Sequence, residues 1–317
     1  MKHFRDGDFL PPPPQHVAAH LERHPATGPS RLMAWLPLLV LAAALVLLVV
    51  ANEGWPQVLP FVLLIGLFVF TAYRSRLLVQ LDAQVLRVQE LAMLRHYPPA
   101  MRLAWRLVPR LTTIPPLHHR VVAFLAHLLD QVRAYEAAII AYNFLLDGLP
   151  QDHPAAAQFE IHRAMAQLAI DRLTDADDAL RRLRRHDDAQ GQPATAAALR
   201  LAQLIQQVRT NHFDDLVASA PRLVDDLRAL GVEAGYGHAL VAYAYHMLDD
   251  EPPSGRRAGP WWSRATLLMP ASALVERFPE LRAMTNCYPT ASALPPHYET
   301  GRGDSMPNTT AVAPPKT

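Results

Sequence analysis

Two uncharged stretches interrupt an otherwise mixed sequence near its start. Leu32 to Ala51 is twenty residues without a charge, rich in leucine and valine. As a helix it covers about 30 Å, the thickness of a hydrocarbon core. A short polar turn, Asn52 to Gln57, leads into a second uncharged run, Val58 to Tyr73. This run covers only about 24 Å, but Trp55 and Tyr73 can extend it into the two interfaces. The pattern predicts an antiparallel transmembrane hairpin with spans at about 32–51 and 56–73. A cleaved signal peptide fits poorly, because about thirty residues precede the first run.

Beyond Tyr73 the period changes. Leu78, Leu81, Val85, Val88, Leu91 and Leu94 recur at spacings of three and four, which is one face of a helix. Helical periodicity continues to about Phe278, and the strand-type alternation is missing. The predicted fold class is therefore all-α. Four segments follow: a disordered cytoplasmic tail over 1–30, the membrane hairpin over 31–75, a helical domain over 77–283, and a disordered tail over 284–317. Pro11 to Pro14 predict a short polyproline II piece in the first tail.

Charge orients the hairpin. Arg23 and Arg31 precede the first span, Arg74 and Arg76 follow the second, and the turn carries only Glu53. The positive-inside rule puts both termini in the cytoplasm. Over the whole chain 30 basic residues meet 29 acidic ones, which gives no case for a nucleic-acid binder. Only Lys2 and Lys316 are lysines. That arginine bias fits a GC-rich bacterial genome and hence an inner membrane. Cys287 is the lone cysteine, so neither an internal disulfide nor a multi-cysteine zinc site can form.

Self-similarity at a fixed period marks stacked helix pairs. Residues 119–152 place Leu125 and Ala126 in a first helix, and Ala138, Tyr142, Leu145, Leu146 and Pro150 in a second. In that order the segment resembles a tetratricopeptide repeat. The same register can be laid on 85–118 (Leu91, Ala92, Ala104, Pro116), 160–193 (Ala179) and 197–230 (Phe213, Leu216). A final pair starts near Gly231 and holds Ala258, Trp262, Ala265 and Pro270. The resemblance implies an α-solenoid. Ala138 would sit where two helices cross, and Tyr142 would plug the following repeat.

Candidate chemistry is sparse. His127 and Asp130 share a helical face near His118 and His119, without an H-E-x-x-H or Cys–His framework. No metal, cofactor or catalytic residue is therefore assigned. Motifs for phosphate cradling or a serine nucleophile elbow do not occur. Arg302-Gly303-Asp304 and the sequon at Asn308 fall in the terminal tail and carry no weight.

The family resemblance implies a concave groove for a polypeptide. It assigns Arg120, Ala123, His127, Asp130 and Gln131 to that groove, with Asp171, Arg172, Leu201, Ile205 and Arg209 further along. The expected function is that of a scaffold or assembly factor whose partners are the lipid bilayer and a protein or peptide. An integral structural subunit of a transport or secretion complex is the alternative, and an enzyme of unfamiliar type a third.

Overall fold

The computed structural model describes residues 10–28, 39–42, 58–149, 153–190, 193–248 and 257–288. Every element among them is helical, so the all-α expectation holds. The chain divides into two compact units, 1–210 and 211–317.

The first unit opens with α1 (Pro14–Arg23). Pro13 has φ −64° and ψ 153°, polyproline II values, and Pro14 takes the first helical position, where its missing N–H costs little. The second helix, α2 (Val58–Met93), is 36 residues long and changes character along its length. Phe61, Val62, Leu64, Ile65, Phe68, Val69, Phe70, Tyr73 and Val79 are exposed, whereas Leu81, Val85 and Val88 are buried. Among the described residues it is the one helix long and apolar enough to cross a membrane. The first expected span lies outside the described residues except for 39–42, which are helical.

Among the described residues six further helices follow in this unit: α3 (Tyr97–Leu107), α4 (Pro115–Gln131), α5 (Tyr135–Gly148), α6 (Pro154–Ala169), α7 (Leu173–Gln190) and α8 (Pro193–Arg209). Each packs on the next, and α2 also touches α4 while α6 touches α8. Three-residue turns make the pairs α2/α3, α4/α5 and α6/α7 antiparallel hairpins. The middle residue of each turn is left-handed: Arg95 (φ 58°), Arg133 (φ 61°) and Asp171 (φ 58°). Asn211 (φ 57°) repeats the conformation after α8, so the four positions are 38, 38 and 40 residues apart.

The hydrogen bonds repeat as well. His96 N donates to Leu91 O at 2.9 Å and Arg95 N to Ala92 O at 3.0 Å. Ala134 N to Leu129 O (2.9 Å) with Arg133 N to Asp130 O (3.0 Å) has the same form, as does Arg172 N to Gln167 O (2.9 Å) with Asp171 N to Leu168 O (3.3 Å). These are Schellman closures, which satisfy carbonyls orphaned at a helix end.

Residues 10–28 differ from the expected disordered tail. Val17 and Leu21 are 0% and 1% exposed, in one core with Val85, Val88, Leu125 and Tyr142. The helix packs along α5. Thr27 N and Gly28 N then donate to Thr112 O at 2.9 and 3.3 Å. Two apolar residues four apart on a short helix suffice to dock it, a signal that the neighbouring prolines obscure.

The second unit holds α9 (Phe213–Asp226), α10 (Ala234–Leu248), α11 (Ala258–Leu268), α12 (Ala271–Arg277) and α13 (Arg282–Cys287). Its α10 packs closely on α9 and α11. Small residues permit that approach: a Cβ added to Gly235 would stand 3.0 Å from Met269 Cγ and 3.3 Å from Ala265 O. Trp262 is fully buried. Pro270 is the N-cap of α12, so it opens a further helix as well as following α11. Pro150, residues 1–9 and residues 289–317 lie outside the described residues.

Candidate partner-binding site

The row of first helices, α2, α4 and α6, carries a polar cluster. Arg120 of α4 is exposed and reaches α2, donating from Nη2 to Gln89 Oε1 at 3.0 Å, with Nη1 3.5 Å from Asp82 Oδ1. Its guanidinium carbon lies 5.8 Å from the centre of the Phe124 ring. One turn on, the His127 ring is 6.4 Å from that of His162 on α6. Near the turn, Tyr97 Oη donates to Gln131 Oε1 at 3.5 Å.

Behind this row the helices are cross-tied. Tyr142 of α5 is buried, stacked on His162 at 6.0 Å and 6.4 Å from Phe159. Arg163 donates to Asn143 Oδ1 at 3.0 Å and to Glu160 at 3.3 Å, and Arg182 reaches the same carboxylate at 2.9 Å. Gln206 donates to Asp177 Oδ1 at 2.8 Å, and Arg181 pairs with that carboxylate. These contacts link α5 to α6, α6 to α7 and α7 to α8.

The structure sorts the ten groove residues expected from the sequence. Arg120, Ala123, His127, Asp130 and Gln131 share α4, but Asp130 is only 4% exposed and so lies beneath the surface. Asp171 and Arg172 occupy the left-handed turn between α6 and α7, off the helical stripe. Their displacement follows from the spacing: the assigned pairs step 41 residues from 119 to 160, whereas the turns at Arg133 and Asp171 stand 38 apart, so the expected first helix overruns the real turn by three residues. Leu201 and Ile205 are 5% and 6% exposed, and Arg209 is half-buried, all on α8. These two aliphatic residues belong to helix packing. Sequence reasoning missed Asp82 and Gln89, whose seven-residue interval places them on one stripe of α2.

A second cluster lies where α1 ends. His118 is fully buried; its Nε2 is 2.9 Å from His24 O, while Nδ1 is buried without a partner. His20 stacks on Trp105 at 4.0 Å, with Nε2 3.2 Å from the Trp105 carbonyl. Burial pulls both imidazoles below their ordinary value, and the carbonyl hydrogen bonds oppose this only in part. Burial lowers His119 too, helped by the charge of nearby His153. At neutral pH these rings are uncharged, and His20 and His118 fasten α1 to α3 and α4. No group of three His, Cys, Asp or Glu side chains among the described residues could hold a metal ion.

Comparison with family models, with curated proteins and with solved structures returned no match.

Proposed function

We propose that the chain is a membrane-anchored docking platform: a two-span hairpin carries stacked, tetratricopeptide-like helix pairs that bind a polypeptide partner. The binding surface is the row of first helices around Arg120, Gln89, Asp82 and His127. The observation that carries this reading is the recurrence of one helix–turn–helix unit at Arg95, Arg133 and Asp171, with the fourth turn at Asn211. A unit of this kind cannot bury its apolar face alone, and stacking leaves a long aligned surface suited to an extended or helical peptide. Tyr142 also sits against Phe159 and His162 of the following pair, the place that the family resemblance implies for it.

Topology supports the anchor. Helix α1 and the distal half of α2 share one core, with the uncharged run 32–51 between them. Two segments in one core lie on one side of a bilayer, so the chain between them crosses an even number of times. If the exposed apolar half of α2 spans the membrane, a second crossing within 29–57 must accompany it. The run 32–51 is long enough. Arginine flanks then place both termini in the cytoplasm. Anchoring raises the local concentration of the platform near other membrane proteins, so a modest affinity suffices.

Photo-crosslinking in native membranes tests the platform. A photoreactive residue placed at His127 should capture one discrete polypeptide, and the same residue at exposed Glu136 on α5 should not. Equal capture from both positions, or none from His127, would remove the groove assignment.

A further inference from the structure

Resting on the anchored reading, we infer that the membrane-proximal edge of the first unit binds anionic phospholipid headgroups through Arg106 and Arg110. Position argues first. From Arg74 the twenty residues to Met93 rise about 30 Å along α2. After the turn at Arg95, α3 runs back, and with the 3₁₀ segment Val108–Arg110 it recovers about 22 Å. The loop beyond Arg110 therefore returns to within about 8 Å, along the helix axis, of the level of Arg74. That is about one Debye length at physiological salt, so attraction to a charged surface survives screening.

The other end of the hairpin fixes the same edge. Thr27 N and Gly28 N are hydrogen-bonded to Thr112 O. From Gly28 only four residues lead to Leu32, where the apolar run begins. Extended, they reach about 13 Å. Where the chain goes into the bilayer and where it comes out, it thus holds the loop 110–114 near the headgroups.

Charge supplies the partner. From residue 91 to residue 129 there is no acidic residue, while Arg95, Arg102, Arg106, Arg110 and Arg120 all fall there, in a chain of formal net charge only +1. Arg106 and Arg110 are exposed on one face, and neither is paired with a carboxylate among the described residues. Arg23, Arg74 and Arg76 are exposed as well. A planar fork suits phosphate oxygens. Each arginine near an anionic surface favours association about fivefold.

The test reconstitutes the full chain in phosphatidylcholine bilayers containing spin-labelled phosphatidylglycerol or phosphatidylcholine, and measures the relative association of each label with the protein. The wild type should prefer phosphatidylglycerol, and raised salt should erase the preference. Arg106→Gln with Arg110→Gln should lower it by up to about fivefold per residue, while Arg106→Lys with Arg110→Lys should keep it. A glutamine variant that retains the wild-type preference overturns the inference, and assigns the edge to an acidic polypeptide or to no ligand. Failure of the full chain to immobilise either lipid would instead defeat the membrane anchor itself.

Discussion

Docking of α1 is the structural feature most exposed to refutation, because the sequence suggests disorder there. Leu21 is 1% exposed and lies in the same core as Leu125, Tyr142 and Leu145. Truncating a leucine so placed costs about 2–5 kcal/mol, the transfer of its methyl groups plus the residual cavity. Helix α1 has ten residues and only two fully buried apolar anchors, Val17 and Leu21. The loss therefore falls on local undocking rather than on the whole unit. At about 1.4 kcal/mol per tenfold, Leu21→Ala should speed amide exchange across 17–24 by roughly thirtyfold to a few thousandfold. Exchange in the helices of the second unit should stay unchanged. Gln15→Ala, on the exposed side of the helix, serves as the control and should do almost nothing. Unprotected α1 amides in the wild type, or no response to Leu21→Ala, would refute the docking. The chain between α1 and the distal half of α2 would then no longer be held to an even number of membrane crossings.

Other consequences follow from single contacts. Acid should release α1: burial lowers the His118 and His20 values in the docked state, so the undocked state binds more protons. Docking is then full above the ordinary histidine value of 6.5 and weakens as pH falls below it, read as α1 exchange corrected for its intrinsic pH dependence; His118→Gln should flatten that dependence. Trp262→Ala should cost about 3–5 kcal/mol in denaturant unfolding of the second unit, since the ring is wholly buried. Gly235→Ala should destabilise the same unit by about 1–3 kcal/mol, because the new methyl meets Met269 and a backbone carbonyl. Arg133→Gly, by contrast, should stabilise by about 1 kcal/mol, relieving a left-handed residue that carries a Cβ; an unchanged or lowered melting temperature would count against that strain.

The helices themselves are legible in the sequence because apolar spacings of three and four do not depend on tertiary contacts. The hairpin turns are harder to see. Glycine is the usual mark of a left-handed helix end, and here Arg95, Arg133, Asp171 and Asn211 hold that place. With the turns hidden, the expected pairs step by 34, 41 and 37 residues, whereas the turns stand 38, 38 and 40 apart. Residues 119–152 straddle the turn at Arg133, and Leu125, Ala126, Ala138, Tyr142 and Leu145 there are all buried. On 160–193 the 41-residue step overruns the turn at Asp171 by three residues, so Asp171 and Arg172 fall in the turn and not on the first helix. The pairing of Arg120 with Gln89 and Asp82 links residues about 30 to 40 positions apart, a contact that no local pattern encodes.

Thiol accessibility in intact cells tests the proposed membrane topology most directly. Cys287 is exposed and can report on the C-terminal side. In a Cys287→Ser background, Gln57→Cys reports on the turn between the two apolar runs and Gln15→Cys on α1. A membrane-impermeant maleimide added outside should label Gln57→Cys at once, and should reach Gln15→Cys and the native Cys287 only after lysis. Labelling of all three positions from one side of the membrane would contradict the proposed two-span anchor, on which the proposed docking platform rests.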